Sequence, residues 1–176
     1  LPKSWFTHNI MKNAAKLFLK LYFRLKGEGL ENIPDGPFIL APNHQSFFDG
    51  LFVAVFLKNK LMKQTFFYAK EKHVKNKLLK FVAAKSNVIV MDLTDLKTSL
   101  QKMAEVLKRG RNIIIFPEGT RTQNGKIGDF KKTFAILSRE LNVPIVPVAI
   151  NGAYDAFPRG TVFPKPWKKI SVKFLK

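Results

Sequence analysis

Apolar residues in this chain occur in short runs with two kinds of spacing. Some runs are about four to eight residues long and rich in Val, Ile and Phe, as expected for strands buried in a sheet. Others recur at intervals of about three and four residues, as on one face of a helix. The predicted strands are 37–42, 64–68, 88–91, 111–115 and 143–150, and the predicted helices are 51–57, 74–82, 96–108 and 130–141.

This alternation of strand and helix predicts an α/β fold: a single domain with a mostly parallel sheet flanked by helices. The helix at 96–108 has the clearest limits, because Asp95 is a suitable N-cap and Gly110 follows its end. The strand at 143–150 contains Pro144 and Pro147. Since proline has no amide proton to donate to a neighbouring strand, we expect an edge strand or an irregular strand there.

The N-terminal segment, residues 1–28, predicts an amphipathic helix that precedes the main domain at 29–176. Apolar residues recur at helical spacing from Trp5 to Leu25. A basic amphipathic helix with aromatic residues is typical of a membrane interface. The alternative is a helix that packs on the domain with its basic residues in water. One face can also pack on the domain while another contacts a membrane. The basic residues stand at every fourth position: Lys12, Lys16, Lys20 and Arg24.

His44 and Asp49 are the first candidate pair, and they follow the strand predicted at 37–42. Residues five apart in a helix are turned by about 140° from each other, so their side chains do not meet there. We therefore expect His44 in a loop and Asp49 in the first turn of the next helix. That bend brings the carboxylate to one imidazole nitrogen and leaves the other free to accept a proton. The alternative is an ordinary loop histidine and an aspartate that favours a helix N-terminus.

A second block, Phe116-Pro117-Glu118-Gly119-Thr120-Arg121, follows the strand predicted at 111–115. Its proline stops the strand, and its glycine permits backbone angles that other residues resist. Arg121 is therefore presented at the carboxyl end of a strand, where open α/β sheets place ligands, and a guanidinium can form two parallel hydrogen bonds with phosphate. The sequence leaves open whether Glu118 holds Arg121 or receives a substrate hydroxyl. An ordinary turn with an exposed Glu–Arg pair is the alternative.

The two blocks, in this order, resemble the first and third signature blocks of the glycerolipid acyltransferases, which move a fatty acyl group from a thioester onto a lysophospholipid hydroxyl. The resemblance extends over residues 30–152 and includes a fourth, apolar block at 143–150. It implies that His44 is the general base on the acceptor hydroxyl and that Asp49 orients it. It also implies a set of residues that bind the acceptor phosphate: Glu118, Gly119, Thr120, Arg121 and, by similarity to a family lysine, Lys70.

One departure concerns the family's second block, which usually ends in an Asp-Arg pair. Here Asp92 is followed by Leu93. If the missing arginine normally contacts phosphate, another cation must replace it or the acceptor has a different head group. Lys131 is the candidate replacement, and a lysine in water is the alternative.

The net charge is the extreme property of the composition. Lys and Arg total 31 against 12 Asp and Glu, which gives a formal net charge of +19 in 176 residues. Such a chain needs an acidic partner, and the candidates are nucleic acid, an anionic membrane surface and an acidic acyl carrier protein. Most phenylalanines fall in apolar runs and no nucleic-acid motif is present, so we expect no nucleic acid. Cysteine is absent and the three histidines are scattered, so we expect no metal site.

The sequence also bears on the protein's location. Its apolar runs are shorter than the ~20 residues that a membrane-spanning helix needs, and its start lacks the pattern of a signal peptide. We therefore expect a peripheral, monotopic protein at the cytoplasmic face of a membrane. The chain starts at Leu1 and ends in a strand-like segment at 170–176. These ends suggest a domain of a longer polypeptide, for example one fused to an acyl-activating domain.

The resemblance implies an acyl transfer without a metal or a covalent acyl-enzyme. The co-substrate is a thioester of acyl carrier protein or coenzyme A, no other cofactor is expected, and the acceptor is lysophosphatidic acid or a related lysophospholipid. His44 takes the hydroxyl proton as the oxygen attacks the thioester carbonyl. Ser46 lacks the signature of a nucleophile and is predicted to cap the helix. Two other classes stay open: a non-catalytic lipid-binding membrane module, and a lipid hydrolase that uses the same His/Asp pair.

Overall fold

A computed structural model describes residues 5–70, 87–91 and 95–176, and all of their side chains except those of 5–12, 69, 70, 90 and 91. The helix predicted at 74–82 and the Asp92–Leu93 pair lie outside these residues. The described helices are α1 (Trp5–Phe23), α2 (Asp49–Ala54), α3 (Asn59–Gln64), α4 (Leu96–Lys108), α5 (Thr133–Leu141) and α6 (Ala153–Ala156). The described strands are β1 (Lys26–Glu28), β2 (Ile39–Pro42), β3 (Thr65–Lys70), β4 (Val88–Met91), β5 (Asn112–Ile114), β6 (Ile145–Asn151) and β7 (Ser171–Phe174).

The strands form one sheet in the order β1-β7-β6-β2-β5-β3-β4. Each pair of neighbours is parallel except β6 and β7, which are antiparallel. The strands from β6 to β4 in this order therefore point the same way, and their carboxyl ends lie along one edge of the sheet. The predicted α/β fold with a mostly parallel sheet is confirmed.

Helices cover both faces of the sheet, which is why the middle strands are apolar at successive positions. Ile39 and Leu40 of β2 are both 0% exposed and point to opposite faces. Ile39 packs in a cluster with Met103 of α4. Leu40 belongs to the cluster that contains Phe23 of α1 and Phe52 of α2, whose ring centroids are 5.5 Å apart. Each fully buried side chain of this size contributes about 1.5–3 kcal/mol relative to exposure.

Local chemistry explains the limits of α4 and α5. Helix α4 spans the predicted residues, because the Asp95 carboxylate accepts a hydrogen bond from the Thr98 amide (2.9 Å) and Gly110 takes a φ of 69° just past the helix end. Helix α5 begins at Thr133, three residues later than the predicted range of 130–141. Lys131, which precedes the helix, is bound to the second block instead, since its amide donates to the Pro117 carbonyl at 2.8 Å.

Strand β6 is not an edge strand, and the prediction of an edge or irregular strand at 143–150 is wrong. It lies between β2 and β7, pairs with both, and alternates regularly between buried and partly buried positions. Pro144 precedes the strand. The Pro147 carbonyl points toward β7 and accepts a hydrogen bond from the Leu175 amide at 2.8 Å. Because Leu175 lies just beyond the end of β7, this proline removes one hydrogen bond at the end of the ladder and leaves the rest intact.

Helix α1 packs one face on the domain and leaves another in solvent. Leu19 and Phe23 are buried, whereas Leu17, Phe18 and Leu21 are 60%, 59% and 63% exposed. The first face therefore packs on the domain, and the second face is exposed. None of the described helices is long and apolar enough to cross a bilayer.

Candidate active site

The loop after β2 is fixed to the sheet by Asn43. Its side chain forms two hydrogen bonds with the backbone of Ile150 in β6: Nδ2 donates to the carbonyl at 2.9 Å, and Oδ1 accepts from the amide at 2.6 Å. Because Asn43 is buried, these bonds set the backbone position directly before His44. Sequence reasoning missed this role, since the local signal is no more than an asparagine at the end of a strand.

His44 and Asp49 meet through the bend that the sequence predicts. His44 lies in the loop and Asp49 is the first residue of α2. The Asp49 Oδ2 atom accepts three hydrogen bonds: from His44 Nδ1 at 2.9 Å, from the Gln45 amide at 2.6 Å and from the Ser46 amide at 2.7 Å. Two backbone amides thus hold the carboxylate in position, so that the imidazole is oriented by a group that cannot itself rotate freely.

The contact with Asp49 sets which nitrogen of a neutral imidazole carries the proton. Burial raises the pKa of the Asp49 carboxyl, and the hydrogen bonds from His44, Ser46 and Gln45 oppose that rise. The other oxygen, Oδ1, is buried without a hydrogen-bond partner in the part of the chain that the structure describes. Because an ionised carboxylate only accepts hydrogen bonds, Nδ1 of a neutral His44 carries the proton and Nε2 is the basic nitrogen.

The imidazole plane is held by the second block. The His44 ring stacks on Phe116, with centroids 3.9 Å apart and 21° between the planes. The His44 side chain is 20% exposed, so the ring remains accessible although both its edge and its face are in contact with protein.

Ser46 does not cap α2, which corrects the prediction. The N-cap position of α2 is Phe48, and no side chain caps the helix there. Ser46 Oγ instead accepts a long hydrogen bond from the Phe48 amide at 3.4 Å, within the turn before the helix. The fully buried Ser46 therefore stabilises the loop that carries His44 rather than the helix itself.

Glu118 connects three parts of the site through backbone amides. Its Oε1 accepts from the His44 amide at 2.7 Å and its Oε2 from the Gly128 amide at 2.9 Å. Its side chain is buried. Neither of these bonds involves Arg121, so Glu118 is tied to the His44 loop and to Gly128 rather than to Arg121. A contact between Glu118 and the substrate stays a prediction.

The turn that carries Arg121 has the geometry expected of its glycine. Gly119 has a φ of 66°, and its amide donates to the Phe116 carbonyl at 3.0 Å. Arg121 is partly buried and forms no ion pair with a described residue, whereas Thr120 is exposed. A partly buried guanidinium without a carboxylate partner is suited to bind an anion.

Two lysines were predicted near this turn. The Lys131 side chain lies beside it, since a Cβ added to Gly119 would come within 3.7 Å of Lys131 Cγ. Lys70 is the last residue of β3, which pairs with β5, so its backbone lies at the same edge of the sheet as Arg121. The structure thus brings His44, Asp49, Gly119, Arg121 and Lys131 to one edge.

A second set of hydrogen bonds ties the two blocks together. The Thr122 amide donates to the His44 carbonyl at 2.8 Å. The Tyr154 amide donates to Gln45 Oε1 at 3.3 Å, and its hydroxyl donates to the Gln123 carbonyl at 2.7 Å. Tyr154 therefore contacts both loops from α6. No sequence motif indicates this role, because Gln45 lies 109 residues and Gln123 lies 31 residues before Tyr154 in the sequence.

Comparison with known proteins decides the family. A family model described as Acyltransferase matches residues 24–151, which include both blocks. The chain belongs to the acyltransferase family. The resemblance drawn from the His44–Asp49 and Phe116–Arg121 blocks is thereby confirmed.

Relatives within the acyltransferase family are named for one activity. The chain is 29% identical over 161 residues to a chloroplastic 1-acyl-sn-glycerol-3-phosphate acyltransferase of Arabidopsis thaliana, which covers 89% of this chain and 44% of the plant protein. It is 31% identical over 134 residues to the 1-acyl-sn-glycerol-3-phosphate acyltransferase of Pseudomonas aeruginosa, which covers 73% of this chain and 49% of the bacterial protein. The chain therefore spans about half the length or less of these relatives.

A solved acyltransferase has the same fold. The crystal structure of the 1-acyl-sn-glycerophosphate (LPA) acyltransferase PlsC from Thermotoga maritima superimposes with a TM-score of 0.80 at 32% identity, over 96% of this chain and 67% of that one. The described strands and helices are thus those of an acyltransferase domain.

Proposed function

We propose that this domain transfers a fatty acyl group from a thioester to the free hydroxyl of lysophosphatidic acid or a related lysophospholipid. The observation that carries the proposal is the His44–Asp49 pair, with Nε2 left basic, at the same sheet edge as Arg121. A base beside an anion-binding arginine fits an acceptor that has both a hydroxyl and a phosphate. The names of the relatives support lysophosphatidic acid as the first acceptor to test.

In the proposed reaction, His44 alone carries the transferred proton from the acceptor hydroxyl to the leaving thiolate. Nε2 takes the proton of the acceptor hydroxyl as its oxygen attacks the thioester carbonyl carbon. The tetrahedral intermediate then collapses, the carbon–sulfur bond breaks, and the imidazolium returns the proton to the leaving thiolate. Asp49 stabilises the imidazolium formed between these steps, since its Oδ2 lies 2.9 Å from Nδ1. The thioester of acyl carrier protein or coenzyme A is the co-substrate, and the proposal uses no other cofactor.

The acceptor phosphate is assigned to Arg121 and Lys131, with Thr120 and the Gly119 turn beside them. Arg121 supplies two parallel donors, and Lys131 supplies the second charge that the family's absent arginine would provide. Lys70 is retained as a third cation because its strand ends at the same edge. Glu118 is proposed as a positioning residue that acts through the His44 amide.

We further propose that the domain works as a peripheral protein at the cytoplasmic face of a membrane. The net charge of +19 favours an anionic lipid surface, and the acceptor itself is a lipid. The exposed face of α1 provides apolar side chains next to basic ones.

The test supplies the purified domain with detergent-dispersed lysophosphatidic acid and labelled palmitoyl thioester, on acyl carrier protein or on coenzyme A, and follows the lipid products. We expect phosphatidic acid from the wild-type domain and a loss of about 10³-fold or more in His44→Ala. Gln101→Ala, at an exposed position of α4, is the control and should retain full activity. Free fatty acid as the product would assign a hydrolase instead. No product with either donor from a folded, lipid-binding domain would overturn the proposal.

A further inference from the structure

Six large apolar side chains are exposed in two segments far apart in the sequence. Three of them, Leu17, Phe18 and Leu21, lie on α1. The other three lie in the segment 158–169, which we call the proline loop because it contains Pro158, Pro164 and Pro166. The exposed fractions in the proline loop are 78% for Val162, 82% for Phe163 and 66% for Trp167.

Hydrogen bonds join the two segments at Tyr22, the residue of α1 next to Leu21. The Tyr22 hydroxyl donates to the Pro164 carbonyl at 2.9 Å, and the Trp167 amide donates to the Tyr22 carbonyl at 2.7 Å. Phe18 stacks on Tyr22, with ring centroids 5.3 Å apart. The exposed side chains of α1 and of the proline loop therefore belong to one connected part of the surface.

The proline loop has a defined conformation rather than a random one. The Lys165 amide donates to the Ala156 carbonyl at 2.8 Å, and the Thr161 hydroxyl donates to the Pro158 carbonyl at 2.8 Å. Its prolines also limit the backbone freedom of the unfolded chain. Because the loop is already ordered, it loses little further conformational entropy when Phe163 and Trp167 contact a partner. Isolated exposed apolar residues are common, but a connected group with three aromatic rings marks an interaction surface.

The charges of the same segments favour an anionic partner. Residues 5–26 and 158–169 contain no Asp or Glu. Aromatic side chains among cations are typical of a segment that inserts between lipid head groups, because basic residues are attracted to an anionic surface. Among the side chains that the structure describes in these two segments, the exposed basic ones are Lys20, Arg24, Lys26, Arg159, Lys165, Lys168 and Lys169.

We propose that the proline loop is a second membrane-binding element, which together with α1 docks the domain on an anionic bilayer and inserts Phe163 and Trp167 at the level of the head groups. The position of the loop relative to the candidate active site supports this. Phe157, directly before the loop, stacks on Phe48 with centroids 5.2 Å apart, and Phe48 precedes Asp49. The docked loop would therefore bring the bilayer surface close to the loop that carries His44.

The experiment measures vesicle binding, which does not depend on acyl transfer. The domain is mixed with vesicles of phosphatidylcholine alone or with 30% phosphatidylglycerol (about one anionic lipid in three, enough for a strong surface potential), and bound protein is separated by flotation. The double variant Phe163→Ser/Trp167→Asn removes both aromatic rings, and asparagine tolerates the φ of 62° at residue 167. Leu96→Ser, which removes an exposed apolar side chain from α4, is the matched control.

We expect the double variant to bind anionic vesicles at least about tenfold more weakly, and the control to bind like the wild-type domain. Phe163→Ser alone should lower the affinity part of the way, which keeps the test valid if the double variant fails to fold. In Trp5→Phe, Trp167 is the sole tryptophan, and its emission should shift to shorter wavelength on vesicle binding. Unchanged vesicle affinity in the double variant, or an unshifted Trp167 emission on bound protein, would overturn the proposal. A selective loss of binding to acyl carrier protein, with vesicle binding intact, would overturn it in favour of a protein partner.

Discussion

The carboxylate of Glu118 accepts a hydrogen bond from the backbone amide of His44 at 2.7 Å, across 74 residues of sequence. The contact joins the two signature blocks directly. It gives the acidic residue of the second block a part in placing His44, the proposed base, since a loop shifted by about 1 Å can lower a rate by about a hundredfold.

Glu118→Gln tests this positioning role. A glutamine can accept one of the two amide hydrogen bonds but has no acceptor for the other, so the loop that carries His44 should lose rigidity. We expect kcat to fall about tenfold to a hundredfold with a nearly constant KM for the acceptor. Steady-state kinetics check this, with Glu105→Gln on the exposed face of α4 as the control. A raised KM at constant kcat would show that Glu118 contacts the acceptor instead.

The buried Asp49 carboxyl should make stability depend on pH in a defined direction. Its pKa is raised in the folded domain above the ordinary value of 3.8, chiefly by desolvation. The unfolded chain therefore releases this proton at lower pH, so ionisation of Asp49 costs folding free energy as the pH rises through that range. In Asp49→Asn this cost is absent at every pH.

The free energy of unfolding of wild-type and Asp49→Asn domains, measured by denaturant titration at a series of pH values from acid to neutral, checks this sign. We expect the stability of the wild type relative to the variant to decline as the pH rises. Asp155→Asn, at an exposed position of α6, should show no such trend. A relative stability that grows with pH would mean that the three hydrogen bonds to Oδ2 outweigh desolvation.

Arg121→Lys tests the proposed two-donor contact with phosphate. Lysine keeps the charge but loses the parallel pair of hydrogen bonds, so we expect the KM for lysophosphatidic acid to rise about tenfold to a hundredfold. The KM for the thioester should change little. Arg139→Lys on α5, where the arginine is exposed beside Glu140, is the control. Equal effects on the two substrates would argue against a phosphate site at Arg121.

Lys131 and its neighbour Lys132 form a matched pair for testing the second cation. Lys131 lies against the Gly119 turn and Lys132 is the exposed N-cap residue of α5. We expect Lys131→Gln to raise the KM for the acceptor roughly threefold to tenfold, with the effect smaller at high salt, because a lysine near solvent acts as a screened point charge. Lys132→Gln should leave the KM unchanged. Equal responses from the two variants would contradict a specific role for Lys131.

We expect Asn43→Ala chiefly to lower the thermal stability of the domain. The substitution leaves the amide and carbonyl of Ile150 buried and unpaired, at about 1–3 kcal/mol for each lost hydrogen bond. We expect the melting temperature to fall by several degrees, at about 2–4 °C per kcal/mol for a domain of this size. Thermal unfolding checks it, and Asn151→Ala at the exposed end of β6 serves as the control. Unchanged stability would show that the Asn43–Ile150 contact is replaced by solvent.

The relations that the sequence predicted correctly are local ones. His44 and Asp49 are five residues apart, so the geometry of one loop and one helix turn decides whether they meet. Likewise, Asp95 and Gly110 mark the ends of α4 through contacts within a few residues. The His44 loop was recognisable for the same reason, because proline ends β2 and the apolar run after it begins a helix.

The contacts that were not predicted from the sequence depend on which strands and loops are neighbours in the folded domain. Pro147 suggested an edge strand, yet β6 is central, because β7 ends where the missing amide would have been needed. Ser46 suggested a helix cap, but the bend that brings Asp49 to His44 uses the serine within the turn. Nothing near Glu118 in the sequence pointed to the His44 amide.

By itself, the sequence determined the α/β class, the limits of α4 and β4, the family, and the pairing of His44 with Asp49. Hydrophobic period, helix capping and short loops depend on residues that are close together in the sequence, so they can be recognised from the sequence alone. Only the tertiary structure decided that Glu118 holds the His44 loop, that Asn43 is bound to Ile150, and which face of α1 remains exposed. Those outcomes depend on backbone groups brought together across 74 and 107 residues by the order of strands in the sheet, which no local pattern records.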